Sequence, residues 1–262
     1  MKKQQTIIFI TGAFVHNSIW EPWINFFTEK GFNAIAPAWS HKQGTAAQLK
    51  QYLTDNKDFS SLHLSDLIAH YERIVKEQSE KPIVVGHAMG GLIAQVLVNR
   101  NVVAAGVALH SVPPKGVFSF EWSFLKSVWK PIGFLPFGKK VFMMEQNEWN
   151  YSFANGLSAA EQQATYEQYC IPESRQILWD ALTDMAKIDF IKQHPPLLFI
   201  TGTDDRITPN SLNYENYSRY LKDHSITDYK EFGGRNHLSI ALPGWQQQAE
   251  YIIDWIEIHS LS

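Results

Sequence analysis

Six short apolar runs rich in β-branched residues, at 6–10, 32–36, 83–85, 102–109, 197–201 and 226–232, are separated by segments of helix length. That alternation constrains the fold more than any other feature of the chain. Strands that alternate with helices pair in parallel, and each crossover lays its helix on one face of the sheet. Leu67, Ile68, Tyr71, Ile74 and Val75 recur at helical spacing between the second and third runs. Trp245, Ala249, Ile252, Ile253 and Ile256 do so after the last. The expected fold class is therefore α/β, a mostly parallel, doubly wound sheet.

The rhythm breaks once, where about eighty residues after Leu109 pass without a convincing strand, too many for a structureless loop. Aromatic residues crowd this stretch, and Pro113-Pro114 and Pro195-Pro196 bracket it. A helical insertion at 111–194 is expected, with 1–110 and 195–262 forming the core. A chain of 262 residues suits one such domain.

Lys and Arg number 23 against 26 Asp and Glu, a net charge of −3, which argues against general affinity for nucleic acid or anionic membrane. The single cysteine, Cys170, excludes a disulfide framework and multi-cysteine zinc sites. High apolar content, 45%, with only 19% charged residues excludes disorder. Residues 7–10 are too short for a signal-peptide core, and no stretch approaches the roughly 20 apolar residues of a membrane helix. A cytoplasmic protein is expected.

Residues 83–92 read Ile-Val-Val-Gly-His-Ala-Met-Gly-Gly-Leu, an apolar strand meeting a glycine-rich turn and then a helical run. Such glycines let strand and helix approach closely, and the helix N-terminus aims free N–H groups at developing negative charge. The segment resembles the nucleophile elbow of the α/β-hydrolase superfamily, Gly-x-Ser-x-Gly, often seen as Gly-His-Ser-Met-Gly-Gly. Ala88 stands where that motif has serine.

Two more segments carry the resemblance. Gly202-Thr203-Asp204-Asp205 with Pro209 is similar to the acid loop, which assigns the acid to Asp205 rather than Asp204. Phe232-Gly233-Gly234-Arg235-Asn236-His237 resembles the histidine loop. Standing alone, the aspartate is equally an Asx-turn residue and the histidine a structural one. Together they give the superfamily's order of nucleophile position, acid and base. The resemblance implies an α/β-hydrolase fold with a helical cap inserted before the acid strand, and an oxyanion hole from the backbone N–H groups of Ala13 and Met89. Thr11 departs from the His-Gly-x usual before the first of these donors.

Thr11-Gly12-Ala13 also suits a short-chain dehydrogenase, but the further glycines and the Tyr-x-x-x-Lys pair are missing. No His-Glu-x-x-His occurs, and Gly86–Gly91 lacks the Lys-Ser/Thr of a phosphate-binding loop. No metal or cofactor is expected.

The resemblance implies Ser-His-Asp acyl transfer on a carboxylic ester or lactone, with the nucleophile lost at Ala88 at a cost of about 10⁶ in kcat. Two origins of Ala88 compete: replacement of a serine that leaves the pocket intact, which the retained Asp205 and His237 favour, or a natural non-catalytic relative that binds a small molecule. Lyases and C–C hydrolases share the scaffold, and residues 12–16 followed by Ser18-Ile19-Trp20 resemble small plant-type esterases and hydroxynitrile lyases. The aromatic insertion points to a neutral, largely apolar small-molecule substrate. Phe14, His87, Phe118, Trp122 and Trp129 are the expected binding residues, in a monomer or homodimer.

Overall fold

The computed structural model describes residues 4–118, 121–133, 140–220, 225–259 and 261, with the side chains of Val128 and Trp129 outside the description. The chain runs β1 (Thr6–Ile10), α1 (Glu21–Glu29), β2 (Asn33–Ile35), α2 (Ala46–Tyr52), α3 (Lys57–Ser60) and α4 (Leu64–Lys76). Next come β3 (Ile83–His87), α5 (Met89–Asn99) and β4 (Ala105–Leu109). A long excursion holds α6 (Trp122–Ile132), β5 (Val141–Phe142), α7 (Gln146–Ser152), α8 (Ala159–Tyr169), β6 (Glu173–Ser174) and α9 (Arg175–Asp180). The chain then returns through β7 (Leu197–Gly202), α10 (Asn210–Ser218), β8 (Thr227–Phe232) and α11 (Gln246–Ile258).

Six strands form one parallel sheet in the order β2-β1-β3-β4-β7-β8. All six fall on the apolar runs read from the sequence, with ends shifted by at most three residues. Every residue of β3, β4 and β7 is buried, as expected of central strands covered on both faces. β8, at the edge, is mostly half-exposed.

Helices follow the same logic. In α4, Leu64, Leu67, Ile68, Tyr71 and Val75 form one buried face. The Asp66 carboxylate accepts the His63 N–H at 2.9 Å and caps its start. Nearly all of α5 is buried, so this helix is packed all round. On α1, Trp23 and Phe27 reach β1, where the Phe9 ring stacks on Trp20 at 4.9 Å. Each such side chain contributes about 1.5–3 kcal/mol through burial.

The excursion corrects one expectation. It is not strandless: β5 and β6 pair antiparallel over two residues each, too few to leave a periodic signal. Val141, Met144, Trp149, Phe153 and Ile171 from this segment join the same apolar core as the sheet. Its 169–171 stretch also bonds the loop after β1, with His16 N–H donating to Tyr169 O and Ile171 N–H to Phe14 O, each at 2.9 Å.

Candidate active site

Sheet order decides which loops meet. The strand order reverses between β1 and β3, and ligands of open α/β sheets bind beyond the carboxyl ends of strands at such a point. Ala88 follows β3, His110 follows β4, Asp205 follows β7 and His237 follows β8. These four strands are consecutive neighbours.

Ala88 sits on a sharp turn with φ +53°, in the region that disfavours side chains. Its N–H donates to Leu109 O at 2.9 Å, and its carbonyl accepts the amides of Gly91, Leu92 and Val112 at 3.0–3.2 Å. The turn needs its glycines. A methyl on Gly86 would lie 2.0 Å from Gly90 O, and one on Gly90 would lie 2.1 Å from Ile10 O. From the other side, a methyl on Gly12 would stand 2.8 Å from Ala88 Cβ, so the loop after β1 closes over the elbow.

That loop carries Ala13, and α5 begins at Met89. Met89 is at the N-terminus of its helix, where amides lack an intrahelical acceptor. Among the described residues no hydrogen bond engages either N–H. The loop is braced from beneath. Phe14, at φ +65°, gives its N–H to Glu173 Oε2 at 3.2 Å, and the same oxygen meets Lys42 Nζ at 2.5 Å. Lys42 also lies 3.8 Å from the Trp39 ring. Both charges are buried, and burial lowers the Lys42 pKa against the pull of Glu173.

Asp205 is the hub. Its Oδ2 lies 2.8 Å from His237 Nδ1, 2.7 Å from His110 Nδ1 and 2.9 Å from Thr208 Oγ1. Its Oδ1 accepts the amides of Ile207 and Thr208, both at 2.8 Å. Burial alone would raise the carboxyl pKa; the His237 ring and the hydrogen bonds from both histidines outweigh it and hold the acid well below the usual carboxylate range. A carboxylate only accepts, so both rings carry their proton on Nδ1. The neutral His237 ring so oriented carries its lone pair on Nε2, the form a general base requires. Asp204 is exposed and turned to Thr203.

Of the remaining expected residues, His87 and Phe14 lie beside the elbow and the loop after β1, and Phe118 and Trp122 do not join them. His87 is fully buried, its Nε2 2.8 Å from His237 O. Phe14 is 5% exposed and meets Phe142 edge to face at 6.0 Å. Phe118 and Trp122 are exposed, and the Trp129 side chain lies outside the described residues. Trp122 does line a cavity of about 890 Å³ with Leu125, Met144 and Tyr151, among others, but Ala88, Asp205 and His237 do not.

Three residues of the site escaped the sequence reading: His110, Glu173 and Lys42. The Phe153 ring meets His237 edge to face at 5.1 Å and stacks on Trp149 at 4.4 Å. A histidine directly after an apolar strand was a usable signal for His110, since the carboxyl ends of strands build the site.

Comparison with known proteins agrees with this fold. A model described as "Alpha/beta hydrolase family" matches residues 7–250. Among solved structures, a monoacylglycerol lipase from Paleococcus ferrophilus is 17% identical, with 97% of this chain and 94% of that one covered and a TM-score of 0.68. An extracellular alpha/beta-hydrolase from a Paenibacillus species, described as sharing structural and functional homology with tobacco salicylic acid binding protein 2, is also 17% identical (95% and 98% covered, TM-score 0.70). Polyneuridine aldehyde esterase is 12% identical (96% and 99% covered, TM-score 0.66). No curated protein matches the sequence significantly.

Proposed function

Because the chain belongs to the alpha/beta hydrolase family, we propose that its site is built for acyl transfer from a neutral, largely apolar carboxylic ester or lactone. The observation that carries this reading is the Asp205–His237 hydrogen bond of 2.8 Å beside a strained elbow. With serine at 88, the hydroxyl attacks the ester carbonyl while His237 Nε2 takes its proton. The Ala13 and Met89 amides receive the oxyanion. His237 then returns the proton to the departing alcohol, and water releases the acid by the same route. The alanine methyl has no lone pair to attack with, so the chain as it stands is a nucleophile-to-alanine form that binds but does not form an acyl-enzyme.

Aromatic side chains of the 111–194 segment, taken here as a cap on a core of 1–110 and 195–262, support the apolar substrate, as Phe153 already touches His237. The esterase and lipase among the similar structures support ester chemistry. No helix among the described residues is long and apolar enough to cross a membrane. The reading takes the protein as cytoplasmic, monomeric or homodimeric, and free of cofactor. Ala88 itself favours a second reading, a non-catalytic binding module.

The test is Ala88→Ser. The variant should hydrolyse an activated aryl ester and react with a fluorophosphonate, and the parent chain should do neither. A folded serine variant that stays inert and unlabelled overturns the hydrolase reading in favour of the binding module.

A further inference from the structure

We infer that His110 is a positioning residue for the acid–base pair: it shares the Asp205 carboxylate with His237 and so sets how tightly Asp205 holds the His237 Nδ1–H. The inference rests on reading Asp205 and His237 as that pair, but its test needs no turnover.

Sheet order brings the three loops together. β7 lies between β4 and β8, so the loop carrying Asp205 is flanked by the residue after each neighbour. Oδ2 faces two ring N–H donors and the Thr208 hydroxyl. A carboxylate offers about two lone-pair sites per oxygen, so three donors compete there. Thr208 has one hydroxyl proton, and His110 O stands within its reach at the same 2.9 Å. The two histidines are thereby left as the main claimants.

His110 is held to this task from both ends. Its N–H donates to Ile200 O at 2.7 Å, and its φ of +48° is a strained setting kept in place by the surrounding contacts. With the proton on Nδ1, its Nε2 accepts from Ser239 Oγ at 2.9 Å, and Gln248 Nε2 donates in turn to Ser239 at 3.2 Å. Every polar atom of the ring is satisfied in the neutral state, and burial lowers its pKa. His110 therefore acts as a fixed neutral donor and draws electron density from Asp205 that would otherwise serve His237.

Other groups face this pair. His87 comes from β3 with Nε2 committed to His237 O, and α7 is followed by the apolar Phe153. In the same loops Asp204 and Arg206 are exposed, while Arg235 bonds the carbonyls of Pro243 and Gly244. None of these replaces the His110 donor.

The experiment is a ¹⁵N NMR titration of the His237 ring in the chain as it exists, beside His110→Leu and His110→Asn. Leucine keeps the apolar bulk and removes the donor; asparagine returns an N–H near the Nδ1 position and tolerates positive φ. His110→Leu should raise the His237 midpoint by about one pH unit, a tenfold gain in proton affinity. It should also move the Nδ1–H resonance downfield. His110→Asn should stay near the parent on both. An unchanged or lowered midpoint in the leucine variant overturns the inference, as does an equal shift in both variants. An inert Ala88→Ser protein would count against the hydrolase reading and leave this result standing.

Discussion

His87 gives its Nε2–H to the backbone carbonyl of His237 at 2.8 Å, so the last residue of β3 is tied to the loop that carries the base. A carbonyl only accepts, which fixes the His87 proton on Nε2 and leaves Nδ1 bare. That nitrogen is buried without a partner, and a methyl on Gly12 would reach within 3.2 Å of it. Elbow, base loop and the loop after β1 therefore pack together as one unit.

The acid is the first place to probe that unit. In the Ala88→Ser background, Asp205→Asn should lower kcat by about 10⁴, because the amide no longer fixes the tautomer or stabilises the imidazolium. Asp204→Asn should stay near the parent, since Asp204 is exposed and, among the described residues, its carboxylate bonds only Thr203. Steady-state kinetics on an activated ester decide it. An equal loss from Asp204→Asn would identify the wrong carboxylate here.

The elbow makes a stability prediction independent of activity. Gly86→Ala and Gly90→Ala place a methyl 2.0–2.1 Å from backbone oxygens, which cannot swing away as a side chain would. Each should cost more than about 4 kcal/mol or abolish folded expression. Gly233→Ala is the control, with nothing within 4 Å of the added carbon, and should stay within about 0.5 kcal/mol. Urea midpoints for the three variants test this, and a tolerated Gly90→Ala would contradict the close approach of α5 to β1.

These contrasts show what the sequence exposes. The central strands β3, β4 and β7 were readable because a parallel strand buried on both faces is a continuous apolar run, and the elbow because no other residue fits its glycine positions. The β5–β6 pair had no such trace. His110 and Glu173 were hidden for another reason: their partners lie 95 and 131 residues away, and only sheet order and the folding back of the excursion bring them together. Local pattern reports burial and turns, whereas a polar network is a property of the assembled loops.

The Lys42–Glu173 pair should behave as a buried ion pair that braces the loop of Ala13. Glu173→Gln or Lys42→Met alone strands one buried charge and should destabilise by about 3–5 kcal/mol. The double variant Lys42→Met/Glu173→Gln should recover part of that loss, since no uncompensated charge remains. A double-mutant cycle in urea measures the coupling. Additive losses would mean that the two charges do not depend on each other.

Acid should destabilise the protein in two stages, and the sign follows from the buried rings. Burial and the neighbouring histidine rings hold His87 well below the ordinary histidine value, and burial lowers His110 as well. Below about pH 6.5 the unfolded chain binds protons that the native rings refuse, so stability is complete above that pH and falls as pH drops. Asp205 acts lower. Its native pKa is depressed, so its contribution is present above about pH 4, the unfolded carboxyl value, and is lost as pH falls toward the native one. The urea midpoint should therefore be level near pH 7–8, decline from about 6.5 toward 4.5, and fall more steeply below 4. His87→Gln keeps a donor for the His237 carbonyl and removes one titrating ring, so it should flatten the first stage and leave the second. A parent midpoint that does not change between pH 7 and 5 would refute the assignment of neutral buried rings; a His87→Gln slope equal to the parent's would remove His87 from it.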